Sequence, residues 1–241
     1  MRDWLISFIP VALLSCVHIF ANRISILNEL PRRKWLSLAG GISVAFVFLH
    51  ILPELHEFQD SLRDADLLPF FFENDMYAMS MAGILLFYGL EQSIIHLQTG
   101  APPKKDVGDN VVFWCHIGIF ALFNGFIGYY LHHELKVEGI SSLLTFTALG
   151  FHFLVNDYSL FRHHDRLYHH TGRWIMSGAV IAGWIVGAGF TIPDIQLALL
   201  FALVSGAIVV NSFKEELPEE KESNFKFFLI GTLAYTLLWI L

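Results

Sequence analysis

His50 and Glu54 stand four residues apart in "FVFLHILPELHE" (46–57), where an apolar run ends. Four residues is about one helical turn, so an imidazole and a carboxylate would share a face and could meet a cation there. "VVNSFKEELPEE" (209–220) repeats the design, with Glu215 and Glu219 four apart and Glu216 between them. Two further runs carry ligand-type side chains deeper inside. "CHIGIFALFNGFIGYYL" offers Cys115, His116 and Asn124, and "FTALGFHFLVNDYSLF" offers His152, Asn156 and Asp157, with His152 and Asn156 one turn apart. Imidazole nitrogen, amide oxygen and carboxylate oxygen suit borderline divalent ions such as Zn²⁺, Mn²⁺ or Fe²⁺. Asn124, His152, Asn156 and Asp157 are therefore the candidate metal ligands. A buried Asp is costly in an apolar run and is a functional candidate by default, although an interhelical hydrogen bond would also account for Asp157. Glu91, inside "LFYGLEQSIIHL", is either an ion or proton relay or a side chain reaching for the interface. His163, His164, His169 and His170 in "FRHHDRLYHHTGR" could capture metal, or could respond to pH within a basic anchor. His132, His133 and Glu134 form a weaker version of the same pattern.

The elements that must position these groups are set by composition. Of 241 residues, 55% are hydrophobic and only 15% charged, and 23 are Phe. Mean hydropathy is +0.55. Soluble domains carry about 25% charged residues, so these values describe an all-α, multi-pass membrane protein. Eight runs, near 4–21, 35–53, 77–97, 111–131, 140–161, 173–190, 195–213 and 225–241, meet the requirement of about 17–25 residues per span. Without water to pair with, each span must satisfy its own backbone groups, as a helix does. Lys and Arg set the orientation. The loops 22–35, 98–110, 162–173 and 214–226 hold all basic residues except Arg2, Arg63 and Lys136. These alternate loops are expected to be cytoplasmic, with both termini outside. A signal-peptide reading of the first run would place Arg23–Lys34 outside, against that rule. The outer segment 54–76 carries seven acids and one base, which is either a cation-gathering mouth or a solvated loop. Net charge is −7 with no basic stripe, so no nucleic-acid partner is expected. Cys16 and Cys115 both lie in apolar runs and are not expected to pair.

An internal repeat joins the opening pair of motifs. Setting Pro53 over Pro218 brings Gly41 onto Gly206, Val44 onto Val209, Phe48 onto Phe213, Leu52 onto Leu217 and Glu54 onto Glu219. The copies close spans two and seven, which run in opposite directions, so the repeat is inverted, a construction used by secondary transporters. Each proline is expected to break its helix and free carbonyls toward a polar cavity. Ala179, Gly183 and Gly187, four apart in span six, form a close-packing face for another span or another subunit.

"AGGISVAFVFLHILPEL", "GILLFYGLE" and "SGAIVVNSFKEELPEE" resemble the ZIP (zinc- and iron-regulated-transporter-like) family of metal transporters. The resemblance implies a single transmembrane domain over 1–241 with a 3+2+3 inverted-repeat bundle. Repeat one would span about 4–97, the central helices about 111–161 and repeat two about 173–241. Two departures concern the site. In "FNGFIG" Asn124 and Gly128 remain, but Phe123 and Ile127 occupy the family's His and acid positions. In "HFLVND" His152 remains, Phe153 stands at the acid, and Asn156 stands at the following ligand position with Asp157 beside it. The family's carboxylate-bridged pair of ions cannot be complete here.

The expectation is a multi-pass protein of the cell membrane that moves a zinc-, iron- or manganese-class divalent cation toward the cytoplasm. The ion is substrate and no resident cofactor is expected. The cation would meet His50 and Glu54, bind near Asn124, His152, Asn156 and Asp157, and leave past Glu215, Glu216, Glu219 and the histidine loop. The alternative is a ZIP-like sensor, scaffold or partner subunit that has lost the site. No HExxH or GxSxG motif is present, so no enzyme is expected; haem held between His116 and His152, or a zinc-activated water, is the remaining catalytic alternative. Expected partners are the lipid bilayer, divalent cations and a second copy of the chain.

Overall fold

The computed structural model of the chain describes residues 2–21, 32–64, 75–99, 105–134, 140–216 and 224–240. Regular structure among these residues is entirely helical: α1 (Arg2–Phe20), α2 (Arg32–Phe46), α3 (Leu52–Asp64), α4 (Asp75–Thr99), α5 (Lys105–Glu134), α6 (Ile140–Leu167), α7 (Arg173–Gly189), α8 (Asp194–Asn211) and α9 (Phe225–Ile240). Three π-helical turns, Val47–Ile51, Tyr168–Gly172 and Ser212–Glu216, follow α2, α6 and α8 directly. Three described stretches are long and apolar enough to cross a membrane: Lys34–Arg63, Val111–His133 and Asp194–Lys214. Ser7–Phe20 and Phe225–Ile240 are apolar but shorter.

The helices run further than the sequence pattern predicts. Pro53 does not end its helix; α3 continues to Asp64. A proline ring clashes with the carbonyl four residues back, here Leu49. Leu49 lies inside the first π turn, where the Leu52 N–H bonds to the Val47 carbonyl, so the widened turn absorbs the proline. Glu54, Glu57 and Asp60 accordingly sit on a helix and not in an outer loop. The expected loop 162–173 is also helical, with one break at His164 (φ −133°, ψ 21°) followed by the second π turn. Pro218 lies outside the described residues.

The chain divides into two compact units. The first comprises Met1–Trp35 and Ser93–Thr191, and so holds α1, α5, α6 and α7. Here α5 and α7 approach backbone to backbone: a Cβ on Gly183 would fall on the Gly125 carbonyl oxygen, and one on Gly128 on that of Val180. Gly187 lies against His132 and Tyr129. The small-residue face of span six therefore packs within the chain. Ser15 Oγ donates to the Ser177 carbonyl (3.3 Å) and Trp184 Nε1 to Ser7 Oγ (3.2 Å), holding α1 to α7. Phe113, Ile117, Leu160, Tyr168 and Met176 form a buried apolar cluster between α5, α6 and α7.

The second unit comprises Leu36–Gln92 and Ile192–Leu241. It contains the repeated motifs, and its packing repeats as they do. Gly41 of α2 meets the backbone of Phe228 and Thr232 in α9, while Gly206 of α8 meets that of Ser80 and Ile84 in α4. In return Gly231 of α9 meets Leu38, and Gly83 of α4 meets Leu203. The alignment that sets Pro53 over Pro218 also sets Leu38 over Leu203. Setting Gly83 over Gly231 brings Ser80 onto Phe228 and Ile84 onto Thr232. Each glycine thus has its counterpart meeting the counterpart backbone. The π turns Val47–Ile51 and Ser212–Glu216 coincide in the same alignment. Along α2 and α9, Ser37 bonds Asn224, Gly41 bonds Thr232, and Phe46 and His50 pack on Tyr235 and Trp239, so these two helices run parallel. Phe58 packs on Phe201, and Gln59 accepts from the Met76 N–H (2.9 Å), so α3 lies beside the start of α4 and the middle of α8.

Candidate functional site

Inside the first unit, polar side chains from three helices and a π turn close on one another. His18, in the last turn of α1, faces Asp157 of α6, and both side chains are fully buried. His18 Nδ1 lies 2.8 Å from Asp157 Oδ1 and 3.0 Å from Oδ2. Tyr168, in the π turn, donates its hydroxyl to Asp157 Oδ1. On the other edge of the imidazole, Asn124 Nδ2 of α5 lies 3.3 Å from His18 Nε2 and 3.5 Å from Met176 Sδ of α7. The donors fix the protonation pattern. An amide N–H at Nε2 makes that nitrogen the acceptor, so a neutral imidazole carries its proton on Nδ1, facing Asp157. Phe153 stacks on His18 with ring centroids 4.5 Å apart. It occupies the acid position of the resembled motif, and here it walls the pair from below. Burial, then the Asp157 carboxylate, holds the Tyr168 phenol well above its ordinary range, so Tyr168 stays a donor. Arg173, whose charge opposes that shift, donates from Nη1 to the Ile19 carbonyl at 3.4 Å.

Of the four candidate ligands, Asn124 and Asp157 therefore meet through His18. His152 and Asn156 are buried and pair with each other, Nε2 to Nδ2 at 3.3 Å, one turn apart on α6. His18, Tyr168 and Met176 were not singled out by the sequence pattern. The signal for His18 was present: "LLSCVHIF" puts an ionisable group inside an apolar run.

The other candidates fall in separate places. His50 Nε2 and Glu54 Oε2 are 3.4 Å apart, so the one-turn spacing holds across Pro53. His50 also stacks on Phe46 and meets the edge of Trp239. Glu91 forms an ion pair with Lys214, whose ammonium also sits 5.5 Å from the Tyr88 ring centre. Within the histidine stretch, His164 turns to His116 of α5, Nε2 to Nδ1 at 3.0 Å, while His169 and His170 lie in the π turn with centroids 5.5 Å apart. The side chains of Glu215, Glu216 and His163, and the whole of Glu219, lie outside the described residues. Among the described residues, no three or more His, Cys, Asp or Glu side chains form a group able to hold a metal ion. Cys16 and Cys115 are free thiols on exposed faces.

No protein-family model, no curated protein sequence and no solved structure matches the chain.

Proposed function

We propose that the chain is an eight-span, ZIP-like membrane protein that moves a divalent cation of the zinc, iron or manganese class toward the cytoplasm. The observation that carries this reading is the convergence of His18, Asn124 and Asp157 in the buried interior of an apolar four-helix unit. An intramembrane carboxylate paired with an imidazole is expensive to hold and marks an ion or proton pathway. The set offers imidazole nitrogen, carboxylate oxygen, amide oxygen and, at Met176, thioether sulfur, which suits borderline ions over Mg²⁺ or Ca²⁺. The cation would enter between His18 Nδ1 and Asp157, with the Nδ1 proton moving to Nε2 as the Asn124 amide turns its oxygen to accept it. With one carboxylate the site suits one ion, not the carboxylate-bridged pair of the resembled family. Large apolar side chains exposed around the helices, such as Leu122, Leu143, Ile185, Leu237 and Ile240, support lipid contact on many faces. The repeated packing of the second unit supports the inverted repeat read from sequence, and the alternating basic loops support termini outside.

The test is uptake of Zn²⁺, Mn²⁺ and Fe²⁺ by liposomes containing the purified protein. Uptake of at least one ion is expected, with a loss of about tenfold or more in Asp157→Asn. Folded protein that moves none of the three overturns the reading.

One observation favours a second reading, a ZIP-like sensor or scaffold that carries no cation. Asp157 is already satisfied by His18 and Tyr168, so the network is closed by hydrogen bonds alone. That reading predicts Asp157→Asn to alter stability and leave cellular metal content unchanged.

A further inference from the structure

His116 and His164 stand apart from the Asp157 network. His116 lies five residues into span four, and His164 lies three beyond the end of span five, so both sit at one end of the first unit. Their nitrogens, Nδ1 of His116 and Nε2 of His164, are 3.0 Å apart, and the ring planes are inclined at 60°. At His164, φ −133° and ψ 21° depart from the helix, and the imidazole at this break meets His116 of α5. Phe113 packs its ring against His164 at 5.5 Å and supports that side chain.

We propose that His116 Nδ1 and His164 Nε2 form a two-histidine binding site for a borderline transition-metal ion, Zn²⁺, Co²⁺, Ni²⁺ or Cu²⁺, distinct from the Asp157 network. A tetrahedral ion holds imidazole nitrogens at about 2.0–2.1 Å, which sets two of them about 3.3–3.4 Å apart. The observed 3.0 Å needs an opening of only a few tenths of an ångström. Between two neutral imidazoles one facing nitrogen carries the shared proton. Binding takes both facing lone pairs, so the shared proton is released to solvent as the ion enters. Solvent or anions complete the coordination, since both rings are only partly buried. Two imidazoles without a carboxylate give no purchase to Mg²⁺ or Ca²⁺, which require oxygen. The histidines read as a loop cluster therefore divide: His164 joins a helix residue, and His169 and His170 are not part of the site.

The site does not depend on the transport reading, and its test leaves that reading untouched. Full-length protein carrying a histidine-free affinity tag is titrated with Co²⁺ in detergent, and the visible ligand-field bands are followed. Nitrogen-ligand bands that depend on both histidines are expected, displaced by Zn²⁺ and not by Mg²⁺, whether or not a further equivalent enters the Asp157 network. Affinity should fall by at least about tenfold in His116→Ala and in His164→Ala, and persist in His170→Ala. A measurement on the unaltered protein guards against misfolded variants: Zn²⁺ should slow diethylpyrocarbonate modification of both His116 and His164. Equal modification rates with and without Zn²⁺, or Co²⁺ bands unchanged in both histidine variants, overturn the proposal.

Discussion

At residue scale the molecule turns on Asp157. A carboxylate with no exposure survives in an apolar bundle because His18 and Tyr168 both donate to it. Removing the imidazole leaves a buried carboxyl oxygen without its hydrogen-bond partner, which costs about 1–3 kcal/mol. His18→Ala should lose stability of that order in a denaturant titration of the detergent-solubilised protein. Tyr168→Phe removes one hydrogen bond to a charged group and should cost about 1.5–3 kcal/mol. The raised Tyr168 phenol adds a pH signature. Above about pH 10 an unfolded tyrosine loses its proton while the folded one keeps it. The unfolded state then binds fewer protons, so stability falls as pH rises through that range. Tyr168→Phe should flatten this alkaline decline, and an unchanged slope would mean the phenol is not buried as described. The sequence pattern found Asp157 and Asn124 because ionisable and amide groups stand out in apolar runs. His18 carries the same signal, but nothing in local spacing ties a residue of α1 to one of α6.

At the scale of elements, glycines decide which helices meet. Gly128 and Gly183 let α5 and α7 touch backbone to backbone, where an added methyl would collide with a carbonyl oxygen. A backbone cannot move aside as a side chain can, so Gly128→Ala must part the helices and should cost about 1–3 kcal/mol. Gly178→Ala, on the same helix α7 with open space around it, should instead stabilise by about 0.5–1 kcal/mol. Thermal unfolding of the two variants checks both signs, and a neutral Gly128→Ala would refute the close approach. The π turns belong to the same scale. Proline spacing announced a break at Pro53, but the chain instead widened one turn and kept the helix. The sequence could not distinguish these outcomes, because both relieve the clash with Leu49.

At the scale of the whole molecule, each unit carries its own logic. The first encloses the polar network; the second repeats one helix-packing contact twice, α2 on α9 and α8 on α4. The proposed orientation predicts labelling. In a chain with Cys16 and Cys115 replaced by Ser, cysteines at Lys104 or Lys221 should react with a membrane-impermeant maleimide only after permeabilisation. One at Lys136 should react in intact cells. Reversed labelling would overturn the orientation derived from Lys and Arg. The sequence by itself determined the helical, apolar character, the alternating basic segments and the repeat around the two Leu-Pro-Glu motifs, because these rest on composition and local period. Tertiary structure alone decided that α2 packs on α9 and α8 on α4, that His18 meets Asp157, and that His116 meets His164. Each of those outcomes joins surfaces far apart in the chain. A helical period says which face is buried and never which distant face will fit against it.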